Sequence, residues 1–348
     1  MRIVHFTNWA PRQSGMYEST KDQIKHERRS GLESDLCLPQ KEWKNGRDVI
    51  DDSWLVPISW EKAKGADVFV LHAFIPEELK KAHKGISVAI LHGPNEHMVL
   101  KEWTTNRRVE AFNSHISLLW SYDATVTINQ HEYDIMKLYD EKDRLHYIPN
   151  SIDLERYQSK KHAWEYVNHP AICSFDVPRL EKLPMNLIWA MPKIVEKIPD
   201  ARLNLFSLTL EPVGTWRNIF CRSKLRRLEN LCENIQLENN NLRPFMLGAD
   251  IGFNNNISGI ASRVSMELMG MGVPVISYGG DYTDYIARIW DLDSIAEQVD
   301  RCWKDIQKNP VAMKQKVKKY AARNFDRKEH VKMYVRLYEN LLRSKRDG

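Results

Sequence analysis

Glu267 is the one carboxylate in the stretch 264–278, VSMELMGMGVPVISY. An ionised side chain among methionines, glycines and valines is costly to bury alone, so this position calls for a partner. Two are open. A carboxylate on an otherwise apolar helix can accept hydrogen bonds from vicinal sugar hydroxyls. Alternatively, Arg263, four residues earlier on the same helix face, can pair with it. Immediately before runs a polar loop, Asn254-Asn255-Asn256-Ile257-Ser258-Gly259. It feeds a helix N-terminus, where free amides and the helix dipole favour an anion.

Other chemistry-bearing residues also sit just after apolar runs. Arg179 and Lys182 follow AICSF, in DVPRLEK. The fork of an arginine and the point charge of a lysine suit a diphosphate, although a solvated loop has the same composition. His92 ends SVAILH and precedes Gly93-Pro94-Asn95. That holds it at a rim, as a site residue or as a plain core-edge histidine, and His72 after DVFVL competes for the role. Gly15 closes the loop after the first apolar run and opens a helix. Its amide could face a phosphate, or the loop could be a simple turn.

These residues need elements that place them at one edge. Short β-rich runs alternate with helical patterns along the whole chain. Strands are expected at 2–7, 36–38, 67–72, 87–92 and 124–128. Helices are expected over 17–31, 76–82, 106–120 and 129–140. The pattern restarts with strands at 171–175, 202–207, 234–237, 249–254 and 273–277. Helices are expected there at 184–197, 216–232, 260–271 and 294–307, with the stretch 310–344 helical throughout. Such alternation implies an α/β protein with parallel sheets. The runs are continuously apolar rather than alternating, as for strands covered on both faces. Two doubly wound halves follow, meeting near residue 155, with the polar segment 155–169 as a linker. In such domains ligands bind beyond the carboxyl ends of the strands, which is where the candidates lie.

The 348 residues suit about two domains. No apolar run approaches the ~20 residues of a membrane span, and MRIVHFTNWAP reads as a strand rather than a signal peptide. A cytoplasmic protein is expected, with five scattered cysteines that form neither a zinc motif nor a disulfide framework. A net charge of +5 is compatible with nucleotide, phosphate, anionic lipid or nucleic-acid partners. Basic clusters at 25–29 (KHERR), 222–227 (RSKLRR) and 314–319 read as solvated helix faces. His26, Arg28 and Arg29 also hint at peripheral membrane contact.

The order of these features resembles the GT-B glycosyltransferases, and more narrowly the retaining, nucleotide-sugar-dependent group called family 4. Tyr147-Ile148-Pro149-Asn150-Ser151-Ile152-Asp153 is similar to that group's Pro-Asn-Gly-Val-Asp segment. Met266 through Ile276 resembles its Glu-Ala-Met-Ala-x-Gly-x-Pro-Val-Ile block, followed by Gly279-Gly280. The similarity covers nearly the whole chain. It implies two Rossmann-like domains facing across a cleft that closes on binding. Residues 1–155 would bind the acceptor and 156–325 the nucleotide sugar, with 326–348 a helix packing back on the first domain. It implies transfer of a hexose from a UDP- or GDP-sugar to a saccharide or glycolipid acceptor. No metal and no other cofactor would be needed, and modified DNA is a lesser acceptor candidate. Glu267 would bind the ribose, Arg179 and Lys182 the diphosphate, and His92 the donor sugar. Gly15 and the amides from Gly259 to Ile260 would hold phosphate. The group's further glutamate, eight residues before Glu267, is Gly259 here, so that contact is absent or comes from Asn256 or Ser258. A non-catalytic nucleotide- or sugar-binding relative is the rival expectation, and a nucleotide-sugar epimerase a third.

Overall fold

The computed structural model describes residues 1–7, 15–38, 54–72, 81–92, 110, 113, 116–158, 166–175, 182, 184–208, 231–237, 242–257 and 259–347. They divide into two compact units, Met1–Asp153 with Asp326–Gly348, and Leu154–Phe325.

The first unit is built on a parallel sheet of β1 (Arg2–Phe6), β2 (Glu33–Cys37), β3 (Val68–Leu71), β4 (Ile86–Leu91), β5 (Ala124–Thr127) and β6 (Leu145–Tyr147), in the order β2-β1-β3-β4-β5-β6. Every residue of VFVL and ATVT is buried, because helices cover both faces. The order of connection reverses between β1 and β3, the point where open α/β sheets take ligands. Helix α1 (Gly15–Arg29) follows β1 and ends at Ser30-Gly31, where Gly31 takes φ +82°, open to glycine without steric cost. Between β2 and β3 lies the single turn α2 (Trp60–Ala63), capped by Ser59, and α3 (Gln130–Lys137) follows β5 with Asn129 as its cap.

The second unit repeats the plan with β7 (Ala171–Ser174), β8 (Arg202–Leu208), β9 (Cys232–Leu237), β10 (Ile251–Asn254), β11 (Val275–Ser277) and β12 (Tyr285–Ile286), ordered β12-β11-β10-β7-β8-β9. The reversal here falls between β7 and β10. Among the described residues its α-helices are α4 (Pro184–Lys197), α5 (Arg243–Gly248), α6 (Arg263–Met271), α7 (Leu292–Lys308) and α8 (Pro310–Asn324). Leu187, Met191 and Ile194 of α4 meet Ile295, Val299 and Cys302 of α7 in one buried cluster. Each such side chain contributes about 1.5–3 kcal/mol when fully enclosed.

The helical stretch expected over 310–344 is two helices. Phe325 leaves helical geometry, and α9 (Arg327–Asp347) then packs on the first sheet through Tyr334, Leu337 and Tyr338. Buried Arg327 fixes its start, donating to Ser19 Oγ at 2.6 Å and the Ser151 carbonyl at 2.7 Å. The strand expected at 36–38 runs from Glu33 to Cys37, and Cys232, expected at a helix end, opens β9. The basic face expected at KHERR turns inward in part. His26 is buried against Asp153 with Lys25, and Arg28 bonds the Ser34 and Trp54 carbonyls and Asp35. Asp153 is enclosed, which alone would raise its carboxyl, but His26 and Lys25 hold it well below the usual range. The helix expected at 76–82 falls largely outside the described residues, as do most of 106–120 and 216–232 and the RSKLRR cluster. Among the described residues, no helix is long and apolar enough to cross a membrane, and Cys37, Cys173, Cys232 and Cys302 are free thiols.

Candidate functional site

In the second unit the carboxyl ends of β7 and β10 are tied together at the reversal. Asn255 Nδ2 donates to Ser174 Oγ at 2.6 Å, and the backbone of Lys182 pairs antiparallel with that of Asn256. The structure thus brings together Lys182 and Asn256, from two different loops. Asn254 organises the next turn. Its Nδ2 reaches the Ile260 carbonyl at 2.8 Å and the Tyr282 hydroxyl at 2.5 Å, and that hydroxyl donates to Ser277 Oγ at 2.6 Å. Ile260 is therefore anchored by its carbonyl. Arg179 and Ser258 lie outside the described residues.

Helix α6 starts three residues later than the apolar pattern suggests. Ser262 has extended backbone and accepts the Ser265 amide on its hydroxyl, so it is the N-cap. Gly272, at φ +90°, ends the helix with its amide on the Leu268 and Met269 carbonyls. Glu267 sits just past the first turn and is nearly enclosed, at 9 % exposure.

Of the two partners weighed for Glu267, the structure shows Arg263. Arg263 Nε donates to Oε1 at 2.7 Å, so the local ion pair forms. The Tyr157 hydroxyl donates to the same oxygen at 2.6 Å. Burial and then the Glu267 charge push the Tyr157 phenol well above its ordinary value, so it remains a donor. With Oε1 occupied twice, Oε2 is the acceptor left uncommitted among the described residues. A carboxylate held this way has a fixed orientation and one free oxygen, which suits a hydroxyl ligand. Tyr157 was not apparent from sequence. It lies in the 3₁₀ turn Leu154–Tyr157, 110 positions away in the chain, and no spacing links the two.

Gly259 stands where the resemblance implies a second glutamate. It takes φ +67°, and a Cβ built there would lie 2.7 Å from the backbone of Gly279. Gly280, at φ +90°, is equally constrained, since its Cβ would meet the Gly259 carbonyl at 2.3 Å. Two glycine turns pack backbone to backbone, so no side chain fits at 259.

In the first unit His92 follows β4, half-buried, with Nε2 2.8 Å from His72 Nδ1. Burial, then the positive Arg327, push the His92 imidazole down to about 3, so it is neutral at physiological pH. His72 is fully enclosed and also well below its usual value, first from burial and then from neighbouring His92, His5 and Arg327. The two histidines that competed for one role are thus bonded to each other. Gly15 opens α1 and is exposed. His5 and Glu27, which join this row from β1 and α1, carried no motif. The signal for His5 was its place inside RIVHF, a strand that must be covered on both faces.

No family model matches this chain, and no curated protein does. Solved structures do share its architecture. Anabaena HepE in complex with UDP and glucose is similar with a TM-score of 0.73 and 13% identity, over 98% of this chain and 100% of that one. A glycosyltransferase from Rickettsia africae is similar with a TM-score of 0.69 and 14% identity, over 98% of both chains. An alpha-glucosyltransferase in complex with UDP and a 13-mer DNA containing an HMU base gives 0.69 and 12%, over 97% of this chain and 99% of that one. The fold is that of the GT-B glycosyltransferases.

Proposed function

We propose that this protein is a metal-independent, retaining glycosyltransferase. It moves a hexosyl unit from a UDP- or GDP-sugar to a hydroxyl of a saccharide or glycolipid. The acceptor oxygen forms a bond to the anomeric carbon, and the bond from that carbon to the β-phosphate oxygen breaks with its electron pair on the nucleotide. The first unit takes the acceptor and the second the donor. The observation that carries this assignment is Glu267, whose Oε1 is pinned by Arg263 and Tyr157 while Oε2 stays uncommitted among the described residues. In this role Oε2 receives a ribose hydroxyl. Lys182 and Arg179 balance the diphosphate charge as it leaves, which is worth several kcal/mol in such sites. Asn256 and the amides near Gly259 and Ile260 line the phosphate side, and His92 meets the donor sugar. Binding of UDP by fold neighbours supports the choice of donor.

A second assignment, a non-catalytic nucleotide- or sugar-binding protein, is favoured by the steric exclusion of any side chain at Gly259. A panel of UDP-, GDP- and ADP-sugars, offered with oligosaccharide, glycolipid and hydroxymethylated DNA acceptors in the presence of EDTA, separates the two. Nucleotide binding without consumption of any donor refutes the enzyme. NMR of the new anomeric centre decides retention. Glu267→Ala should weaken nucleotide binding by about 10–100-fold, as for a lost hydrogen bond to a charged group, and unchanged affinity removes the ribose role.

A further inference from the structure

Three histidines cross the first sheet in one line. His5 on β1 is level with Val70 on β3, and Val70 with Val88 on β4. His72 lies two residues beyond Val70, and His92 four beyond Val88. Each step advances by two residues, so all three side chains share one face, and the line climbs towards the carboxyl ends of the strands. The links are short. His92 Nε2 is 2.8 Å from His72 Nδ1, His72 Nε2 is 2.9 Å from His5 Nδ1, and His5 Nε2 is 2.7 Å from Glu27 Oε2. His5 and Glu27 are wholly buried and His72 nearly so. The nitrogens bond in series rather than converging on a common point, so this is a chain and not a metal cage.

Glu27 sets the direction of the chain. It also accepts from Ser34 Oγ at 2.6 Å and Gln23 Nε2 at 3.1 Å, the pattern of an acceptor-only carboxylate. His5 must therefore carry a proton on Nε2. If His5 is neutral, its Nδ1 accepts, so His72 carries its proton on Nε2. By the same logic His92 does too, and His92 Nδ1 is left as a bare lone pair. One added proton reverses the whole line. His5 becomes an imidazolium beside Glu27, and His92 carries its proton on Nδ1. Arg327 acts unfavourably on a charged His72 or His92, whereas Glu27 touches His5. Tyr334, Tyr338 and His330 on α9 lie near Arg327 or Glu27, and burial holds them neutral.

We propose that Glu27, His5 and His72 form an inward-directed proton wire that presents His92 Nδ1 as an acceptor and stores the proton released during transfer. This rests on the transferase assignment above. Glycosyl transfer frees one proton from the acceptor hydroxyl. That O–H bond breaks and an Nδ1–H bond forms on His92. The Nε2 proton of His92 passes to His72 Nδ1, and that of His72 passes to His5 Nδ1. The oxygen's electron pair has formed the new glycosidic bond, and the diphosphate has left with the old one. The proton returns outward along the same line once product is gone. His92 is the group that touches substrate; the other three are positioning residues.

Two-bond proton–nitrogen spectra of the full chain labelled with [¹⁵N]histidine test the wire, with assignments from single His→Gln variants. At pH 7 His92 should be protonated on Nε2 and bare on Nδ1. His72→Phe should abolish that preference and give mixed tautomers. His72→Gln, which keeps one donor and one acceptor in the row, guards against a variant that fails to fold. It should retain the tautomer but lower kcat by about 10²-fold, the scale of proton-transfer catalysis, with nucleotide affinity unchanged. A proton on His92 Nδ1 at pH 7, a tautomer indifferent to His72→Phe, or full turnover in His72→Gln would overturn the wire. If the wild type consumes no nucleotide sugar, the transferase assignment fails, and the spectra alone then decide whether the histidine line is ordered as described.

Discussion

Gly259 allows a quantitative test of why the expected glutamate is absent. Two costs arise when it is replaced by alanine. The backbone at φ +67° lies in the left-handed region, where a Cβ costs roughly 1–2 kcal/mol. The new Cβ would also stand 2.7 Å from the Cα and carbonyl carbon of Gly279, backbone atoms that cannot swing away, and overpacking of this kind costs about 1–3 kcal/mol. Together they come to about 3.5 kcal/mol. At about 3 °C per kcal/mol for a unit of this length, Tm falls by roughly 10 °C. The partner in the same contact makes the control. Gly279 has no positive φ and its Cβ would sit 3.5 Å from Gly259 Cα, an ordinary contact. Gly279→Ala should therefore stay within about 0.5 kcal/mol of wild type. Calorimetry follows the transition of the second unit in each variant, and urea midpoints give the same ranking independently. Gly259→Glu should be no more stable than Gly259→Ala and should gain no affinity for a nucleotide sugar. A Gly259→Ala protein that melts with wild type, or a Gly279→Ala protein as damaged as it, would refute the backbone-to-backbone explanation.

Removing the cap of α6 by Ser262→Ala should cost about 1 kcal/mol, read as a lower urea midpoint for the second unit; no change would mean the Ser265 amide finds another acceptor. Tyr157→Phe deletes one of the two donors on Glu267 Oε1 and should weaken the proposed nucleotide binding about 5-fold, the value of about 1 kcal/mol for one hydrogen bond. Titration calorimetry measures it, and unchanged affinity would make Tyr157 a purely structural contact. His330 is pushed down from 6.5 to about 4, by burial and then by Arg327. Its folded value lies below its unfolded one, so its contribution is complete above pH 6.5 and is lost as pH falls towards 4. That is worth on the order of 3 kcal/mol. His330→Gln should lose less stability than wild type across this window, and parallel pH profiles would exclude the assignment.

The sequence carried the fold in its apolar runs and carried the site only in part, for reasons that can be read residue by residue. DVFVLH and SVAILH are legible as buried strands because parallel sheets covered on both faces need uninterrupted apolar residues, and β3 and β4 lie within them. The start of α6 is not legible from apolar pattern because Ile260 and Ala261 extend it backwards, while the chain obeys the Ser262 cap instead. The break at Phe325 is invisible to periodicity, because both flanking helices are polar and similar in composition.

Glu267 was conspicuous because a lone carboxylate in an apolar run is a local anomaly. Its two tethers behave differently. Arg263 is visible at helical spacing, whereas Tyr157 comes from another element altogether. Glu27 and His5 had no local anomaly of comparable sharpness, since one sits in a charged helix and the other alternates with valine and phenylalanine. Their meaning depends on strand order. Only when β1, β3 and β4 are neighbours do residues 5, 72 and 92 fall on one diagonal. A linear pattern records which faces are buried, because burial acts on each residue separately. It does not record which buried polar groups satisfy one another, because that is a property of pairs set by topology. Buried groups are nonetheless obliged to find partners. An imidazole in a covered strand is therefore a statement that another polar group lies across the sheet, and here the obligation runs through three strands before it ends on Glu27.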